Sequence, residues 1–173
     1  MLIGTHIFLR AIQSSDVDFI LALENNPENW EVSGTTTPFT REEITSFVNA
    51  EHDIYKNKQY RFIICLSTNN QSIGTIDLFE FDEELKQVGI GIIIAEAVDR
   101  NKGYASEALQ LIINYCFTEL KIVQLFCNIF KDNKNSIRLF EKNGFHFIEE
   151  RALFGKPVKY YELLIPPLKG EGG

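Results

Sequence analysis

The sequence predicts an α/β (α+β) fold, a mixed, mostly antiparallel central sheet of about seven strands flanked by about four helices. Three observations carry this expectation. Residues 60–67 and 72–81 are strand-like runs joined by Thr68-Asn69-Asn70-Gln71, which is hairpin turn chemistry. An apolar run over 88–95 leads through a short basic loop, Arg100-Asn101-Lys102-Gly103-Tyr104-Ala105, into a helix pattern over 105–120. That loop sits mid-chain after hairpin signals rather than in a first βαβ unit, which disfavours a nucleotide-binding doubly wound sheet.

In chain order, residues 3–12 alternate with a period near two and read as a first strand. Ser14-Ser15-Asp16 offers side-chain oxygens to cap a helix, with Val17, Ile20, Leu21 and Leu23 on its apolar face and a stop at Asn25-Asn26-Pro27. Residues 28–39 have no clear period and read as a loop containing Trp30, a candidate for either lid packing or substrate contact. Thr40-Arg41-Glu42-Glu43 is a capping box opening a second helix to about residue 57.

The hairpin of 60–67 and 72–81 follows. On its second strand Asp77 shares a face with Ile73, Thr75 and Phe79, and alternation places Glu80 on the other face. Asp82-Glu83-Glu84 is a polar turn, and 86–95 is the next strand. Gly89 and Gly91 inside it mark close packing, a bulge or a close backbone approach. After the central helix come a strand over 121–130, a helix from Asp132-Asn133 to Asn143-Gly144, and final strands at 145–153 and 158–165. Pro166-Pro167 ends a single domain of 1–167, and 168–173 reads as a flexible tail.

The loop at 100–105 is an anion-binding arrangement. A helix N-terminus offers N–H groups with no intrahelical partner and a partial positive charge, Gly103 frees the backbone, and Arg100 and Lys102 add charge. The spacing of Arg100, Gly103 and Ala105 resembles the acetyl-CoA signature Arg/Gln-x-x-Gly-x-Gly/Ala of the GNAT N-acetyltransferases. The segment Asn133-Lys134-Asn135-Ser136-Ile137-Arg138-Leu139-Phe140-Glu141-Lys142-Asn143-Gly144-Phe145 resembles that superfamily's second block. The resemblance spans roughly residues 3–165 and is nearest the branch of spermidine and ribosomal-protein N-terminal acetyltransferases.

The resemblance implies acetyl-CoA as co-substrate and no metal. It implies contacts from the Ile92 and Ile94 backbone, from Arg100, Asn101, Lys102, Gly103, Tyr104 and Ala105, and from Asn133, which also reads as a helix cap. It implies an amine acceptor, a polyamine, protein N-terminus or other small amine, walled by the first two helices and their loop. It allows a homodimer.

Composition sets outer bounds. A chain of 173 residues suits one domain, and no apolar run is long enough to span a bilayer. The start lacks the charged and apolar regions of a signal peptide, so a cytoplasmic location is expected, with no membrane partner. Three widely spaced cysteines, Cys65, Cys116 and Cys127, read as buried free thiols. A net charge of −7 argues against non-specific nucleic-acid binding and suits a cationic substrate. Glu24, Glu28 and Glu31 lie near the expected acceptor cleft.

Acetyl transfer to an amine needs a neutral nucleophile, a polarised thioester carbonyl and a proton for the leaving thiolate. Asp77 and Glu80 are the candidate bases because carboxylates on a central buried strand are unusual, with Glu96 a third choice. Glu80 also reads as solvated at a strand end. His6, His52 and His146 have no partner at catalytic spacing. Where many members of the family carry a tyrosine acid in the last helix, this sequence has Phe140; Ser136, one turn earlier, is a candidate to orient a water or the leaving sulfur and also reads as a plain hydroxyl in the first helical turn. The missing tyrosine keeps open an alternative, a CoA-binding sensor or interaction module without catalysis.

Overall fold

The computed structural model describes residues 1–29 and 37–164. Trp30 and Glu31, the end of the final strand at 165 and the expected tail therefore lie outside the described residues. One mixed sheet of eight strands organises the rest, in the order β1-β2-β3-β4-β5-β6-β8-β7. The strands are β1 Leu2–Ile3, β2 Ile7–Ala11, β3 Tyr60–Leu66, β4 Ser72–Asp82, β5 Gln87–Ile94, β6 Gln124–Phe130, β7 His146–Leu153 and β8 Lys156–Leu164. The helices are α1 Val17–Asn25, α2 Arg41–Asn49, α3 Ile54–Asn57, α4 Tyr104–Thr118 and α5 Lys134–Lys142. Every neighbouring pair is antiparallel except β5 and β6, so the mixed, mostly antiparallel sheet is as expected.

The eighth strand arises because residues 3–12 do not run straight. The amide of Gly4 donates to the carbonyl of Ile7, closing a tight turn between β1 and β2. The expected second helix also divides. Thr40 and Glu43 form the reciprocal capping box, but α2 ends at Asn49, and Asp53 caps the short α3 by accepting from the Tyr55 amide. An Asx cap four residues past a helix end restarts the chain at the cost of continuity.

Alternation along β3 splits the core in two. Phe62 and Ile64 face a large cluster with Ala108, Leu109, Ile112 and Cys116 of α4 and Ile137 and Phe140 of α5. Ile63 and Cys65 face the opposite side, against Ile20 of α1 and Ile44 and Val48 of α2. The sheet is thus covered by α4 and α5 on one face and by α1 and α2 on the β2–β4 half of the other. Cys65, Cys116 and Cys127 are buried and free, and burial pushes the Cys116 thiol up to about 12.

The parallel contact between β5 and β6 is short. Gln87, Val88 and Gly89 pair with Gln124, Leu125 and Phe126, and there the pairing stops. β5 continues to Ile94 beside β4, and β6 continues to Phe130 beside β8. The sheet therefore opens between its two halves, leaving one edge of residues 90–94 without a strand partner. One groove borders this opening at the end of β5, and a second lies against β3 and β4.

Candidate active site

The first groove has a volume of about 530 Å³ and lies between the end of β5, the 100–105 loop and α5. Ile92, Ile93 and Ile94 line it on one side. The loop supplies Arg100, Asn101, Gly103, Tyr104 and Ala105, and α5 with its cap supplies Asn133, Ser136, Arg138 and Lys142. Asn101 (φ 61°) and Gly103 (φ 84°) both adopt the left-handed region. A Cβ on Gly103 would meet nothing within 4 Å, so the glycine is required by backbone conformation rather than by space. The first α4 bond closes from the Glu107 amide to the Gly103 carbonyl. The amides of Tyr104, Ala105 and Ser106 precede it without intrahelical acceptors, where the helix dipole favours an anion.

Arg100 folds back rather than projecting outward. Its Nε and Nη2 donate to the Ile94 carbonyl at 3.3 and 3.1 Å, and Glu28 lies 3.8 Å from it across the groove. Lys102 is exposed and is not among the lining residues. Asn133 caps α5 by accepting from the Ser136 amide at 3.2 Å while also lining the groove. The sequence reading missed Arg138 and Lys142, whose i, i+4 spacing on α5 was a legible signal of two cations on one helix face. It also missed Ser106, whose buried hydroxyl accepts from Asn143 and ties α4 to α5.

The second groove, of about 420 Å³, lies between α1, α2 and the β3–β4 hairpin. Phe39, Phe47, Tyr60 and Phe79 give it aromatic walls, and Glu24, Glu43, Arg61 and Asp77 give it charge. Arg61 holds this site together. Its Nε and Nη2 donate to the two oxygens of Asp77 at 2.8 and 2.9 Å, and its Nη1 donates to Glu24 at 2.7 Å. Burial, the largest influence, works against the guanidinium charge, but Asp77 and Glu24 outweigh it and raise the arginine above its ordinary value. With Glu43 the groove carries three carboxylates against one guanidinium, so it favours a cation. His52 also lines it, with Nε2 donating to the Val48 carbonyl at 3.1 Å and its ring edge-on to Phe47.

The structure separates the candidate bases. Asp77 lines the second groove, with its side chain 29% exposed. Glu80 does not share its setting. The β4–β5 register slips between Phe79 and Asp82, Glu80 takes a left-handed φ of 51°, and its side chain is exposed. This bulge resets the alternation, so Phe81 rather than Glu80 enters the core, and Glu80 takes the solvated strand-end setting rather than the buried one a base on this strand would need. Glu96 is exposed and lines neither groove. Phe140 is 3% exposed with its ring edge-on to Phe145 at 5.0 Å, turned into the core rather than into the groove. Ser136 is half-buried and lines the first groove. His6 has a partner that spacing hid: Nδ1 lies 3.2 Å from Glu107 of α4. Among the described residues no cluster of metal-ligating side chains occurs, and no helix is long and apolar enough to cross a membrane.

The comparisons with known proteins agree with this architecture. The family model for the acetyltransferase (GNAT) domain matches residues 6–146. A spermidine N(1)-acetyltransferase of Vibrio cholerae is 26% identical over 157 residues, covering 88% of this chain and 88% of the relative. A crystal structure of spermidine N-acetyltransferase from that organism, in complex with CoA and spermine, superposes with a TM-score of 0.81 at 22% identity, covering 93% of this chain and 96% of the other. A dodecameric structure of the same enzyme in an intermediate state gives a TM-score of 0.76 at 22% identity, with coverages of 93% and 95%. At that identity the structural likeness speaks for the fold, while the family model covers most of the chain. The chain belongs to the acetyltransferase (GNAT) domain family.

Proposed function

We propose that this protein transfers an acetyl group from acetyl-CoA to a primary amine by direct attack. The observation that carries this reading is the coincidence of three features at one place. The sheet opens after Gly89 and Phe126, the first α4 amides and residues 92–94 line a groove there, and a carboxylate-rich groove on β4 includes Asp77, the cross-strand partner of Gly91.

The residues present fit acetyl-CoA. Unpaired amides at the start of α4, with Arg138 and Lys142 opposite, suit a pyrophosphate. The unpartnered edge at Ile92, Ile93 and Ile94 offers backbone donors and acceptors to an extended amide-bearing arm. Bound there, acetyl-CoA supplies the activated thioester. Arg100, now held by the Ile94 carbonyl, is available to turn toward the phosphates.

The second groove is the acceptor site in this reading. Glu24, Glu43 and Asp77 hold a cationic amine between aromatic walls. Each oxygen of Asp77 spends one lone pair on Arg61 and keeps another, which serves the amine proton directly or through one water. Ser136, on the wall of the first groove, is the hydroxyl that serves the departing sulfur. The acceptor is a polyamine, a protein N-terminus or another small amine. The spermidine enzymes among the relatives favour the first of these, and the dodecamer formed by one of them favours a self-associating protein.

The test is thiol release from acetyl-CoA against spermidine, spermine, N-terminal peptides and aminoglycosides, with acetyl-CoA binding measured alongside. Release with one acceptor class is the expected outcome. Binding with no release from any amine would instead favour a CoA-binding sensor, the reading that draws on a core-buried Phe140 in place of a tyrosine acid.

A further inference from the structure

Two glycines of β5 sit on one face of the sheet, and the structure gives them different jobs. Gly89 is opposite Phe79 on β4, and a Cβ there would collide with the Phe79 ring and come within 2.8 Å of Phe126. This glycine makes room for an aromatic packing row. Gly91 is opposite Asp77, and a Cβ there would meet only Phe79, at 3.9 Å, which is ordinary van der Waals contact. No neighbour needs position 91 to be a glycine, and its φ is not in the left-handed region.

What distinguishes Gly91 is its place. Residues of one strand face recur about every 6.6 Å. Along this face of β5, Gly89 lies beneath Phe79, which lines the second groove, and Ile93 lines the first groove. Gly91 is the single position between them, and its cross-strand partner is Asp77. It is also the second residue beyond the point where β6 leaves β5. Everything else on that row carries a side chain or lies beneath one.

We infer that the bare backbone at Gly91 is the aperture joining the two grooves, through which an amine held by Asp77 reaches a thioester bound along β5. The inference rests on the assignment of the two grooves to acceptor and acetyl-CoA. Gly91 sets access by absence: a side chain there fills the passage while leaving both grooves intact. The residue is therefore specificity-determining and takes no part in proton transfer. Larger substituents next to the reacting nitrogen lose most when the passage narrows, so primary amines on an unbranched carbon are the preferred class.

Gly91→Ala and Gly91→Val test this. Valine suits a strand and a Cβ at position 91 meets only Phe79 at 3.9 Å, so the fold is expected to survive both changes, checked by melting. Kinetics use acetyl-CoA and whichever amine of the panel above turns over fastest; acetyl-CoA affinity is read by calorimetry. Valine is expected to lower kcat/KM for the amine by about 30-fold or more, and alanine by about fivefold, a size typical of reacting groups displaced by an ångström. Acetyl-CoA affinity is expected to stay within about twofold of the unmodified chain, since position 91 is outside that groove's lining. Unchanged transfer in the valine variant overturns the aperture alone. A parallel loss of acetyl-CoA affinity also overturns it, by showing that position 91 shapes the cofactor groove. Absence of turnover by the unmodified chain with every amine would overturn the underlying functional reading, and the aperture with it.

Discussion

Two half-buried arginines in this protein hold carboxylates with nearly the same geometry, and they do different things. Arg10 of β2 grips Asp16 with two bonds of 2.8 Å, and the Gln13 amide donates to the same carboxylate at 2.7 Å. Arg61 of β3 grips Asp77 with bonds of 2.8 and 2.9 Å and Glu24 with one of 2.7 Å. The first cluster is closed. Asp16 is 4% exposed, the charges match one to one, and neither residue lines either of the two grooves described above. The second is open. Asp77 is 29% exposed, the carboxylates outnumber the guanidinium, and all three residues line the second groove. A matched, sealed pair fixes the chain where α1 begins. A mismatched, accessible one leaves the Asp77 carboxylate open to the second groove. Geometry of the pair alone would not have told them apart; stoichiometry and access do.

The comparison breaks first, and hardest, at Asp16. Asp16→Asn keeps the shape but removes the buried counter-charge of the half-buried Arg10 guanidinium, a loss expected to cost about 3 kcal/mol. That corresponds to roughly a 10 °C drop in melting temperature for a domain of this size. Transfer measured on the folded variant at lower temperature should be unchanged. A fall in kcat/KM comparable to the stability effect would show that the Arg10 cluster also serves the site.

Much of this was legible from the sequence, and the gaps have physical causes. The loop at 100–105 and the Asn133 cap are local: turn chemistry, helix start and charge lie within six residues, so spacing alone places them. The capping box of Thr40 and Glu43 is equally local, and it forms. Glu80 is solvated, as its place near the strand end suggested, but the cause was not legible: one extra residue between Phe79 and Asp82 breaks the ladder that alternation assumes, and nothing in Phe79-Glu80-Phe81-Asp82 announces the bulge. Arg61 was missed for the opposite reason. Its partners are 16 residues ahead and 37 behind, and an arginine in a strand carries no mark of what it will meet. Gly89 and Gly91 look identical in sequence; only the ring of Phe79, placed by β4, separates a packing glycine from an open one.

Asp77→Asn sharpens the contrast from the other side. Arg61 keeps Glu24 as a charged partner, and the asparagine oxygen still accepts one of its hydrogens, so the cost to stability is expected to be only about 1–2 kcal/mol by urea denaturation. The loss should appear in chemistry instead: kcat/KM for the amine down about 100-fold, with acetyl-CoA affinity unchanged. If the variant is destabilised as much as Asp16→Asn yet transfers normally, the Arg61 cluster is a second structural staple and the acceptor groove must be sought elsewhere.

Glu107 supplies the smallest and most specific test, because it is a shielded carboxylate with no arginine. Its Oε1 accepts from the His6 and Ile7 amides at 2.8 and 3.2 Å, locking the β1–β2 turn onto the first turn of α4. Gly4 is what lets it in, since a Cβ at that position would collide with Oε1. Burial works against the Glu107 charge, but the amides of His6 and Ile7 outweigh it and hold the carboxyl below its ordinary value of 4.5. The sign follows. A carboxyl whose folded pKa is depressed contributes its full stability above pH 4.5 and loses it as pH falls through the depressed value. Glu107→Gln should therefore cost about 1 kcal/mol near neutral pH, and the gap to the unmodified chain should close in acid. Urea midpoints for both chains at pH 7 and pH 3 measure it. A gap that stays constant with pH would assign the stabilisation to shape rather than charge. The anchoring of α4, and with it the groove at its N-terminus, would then rest on packing alone.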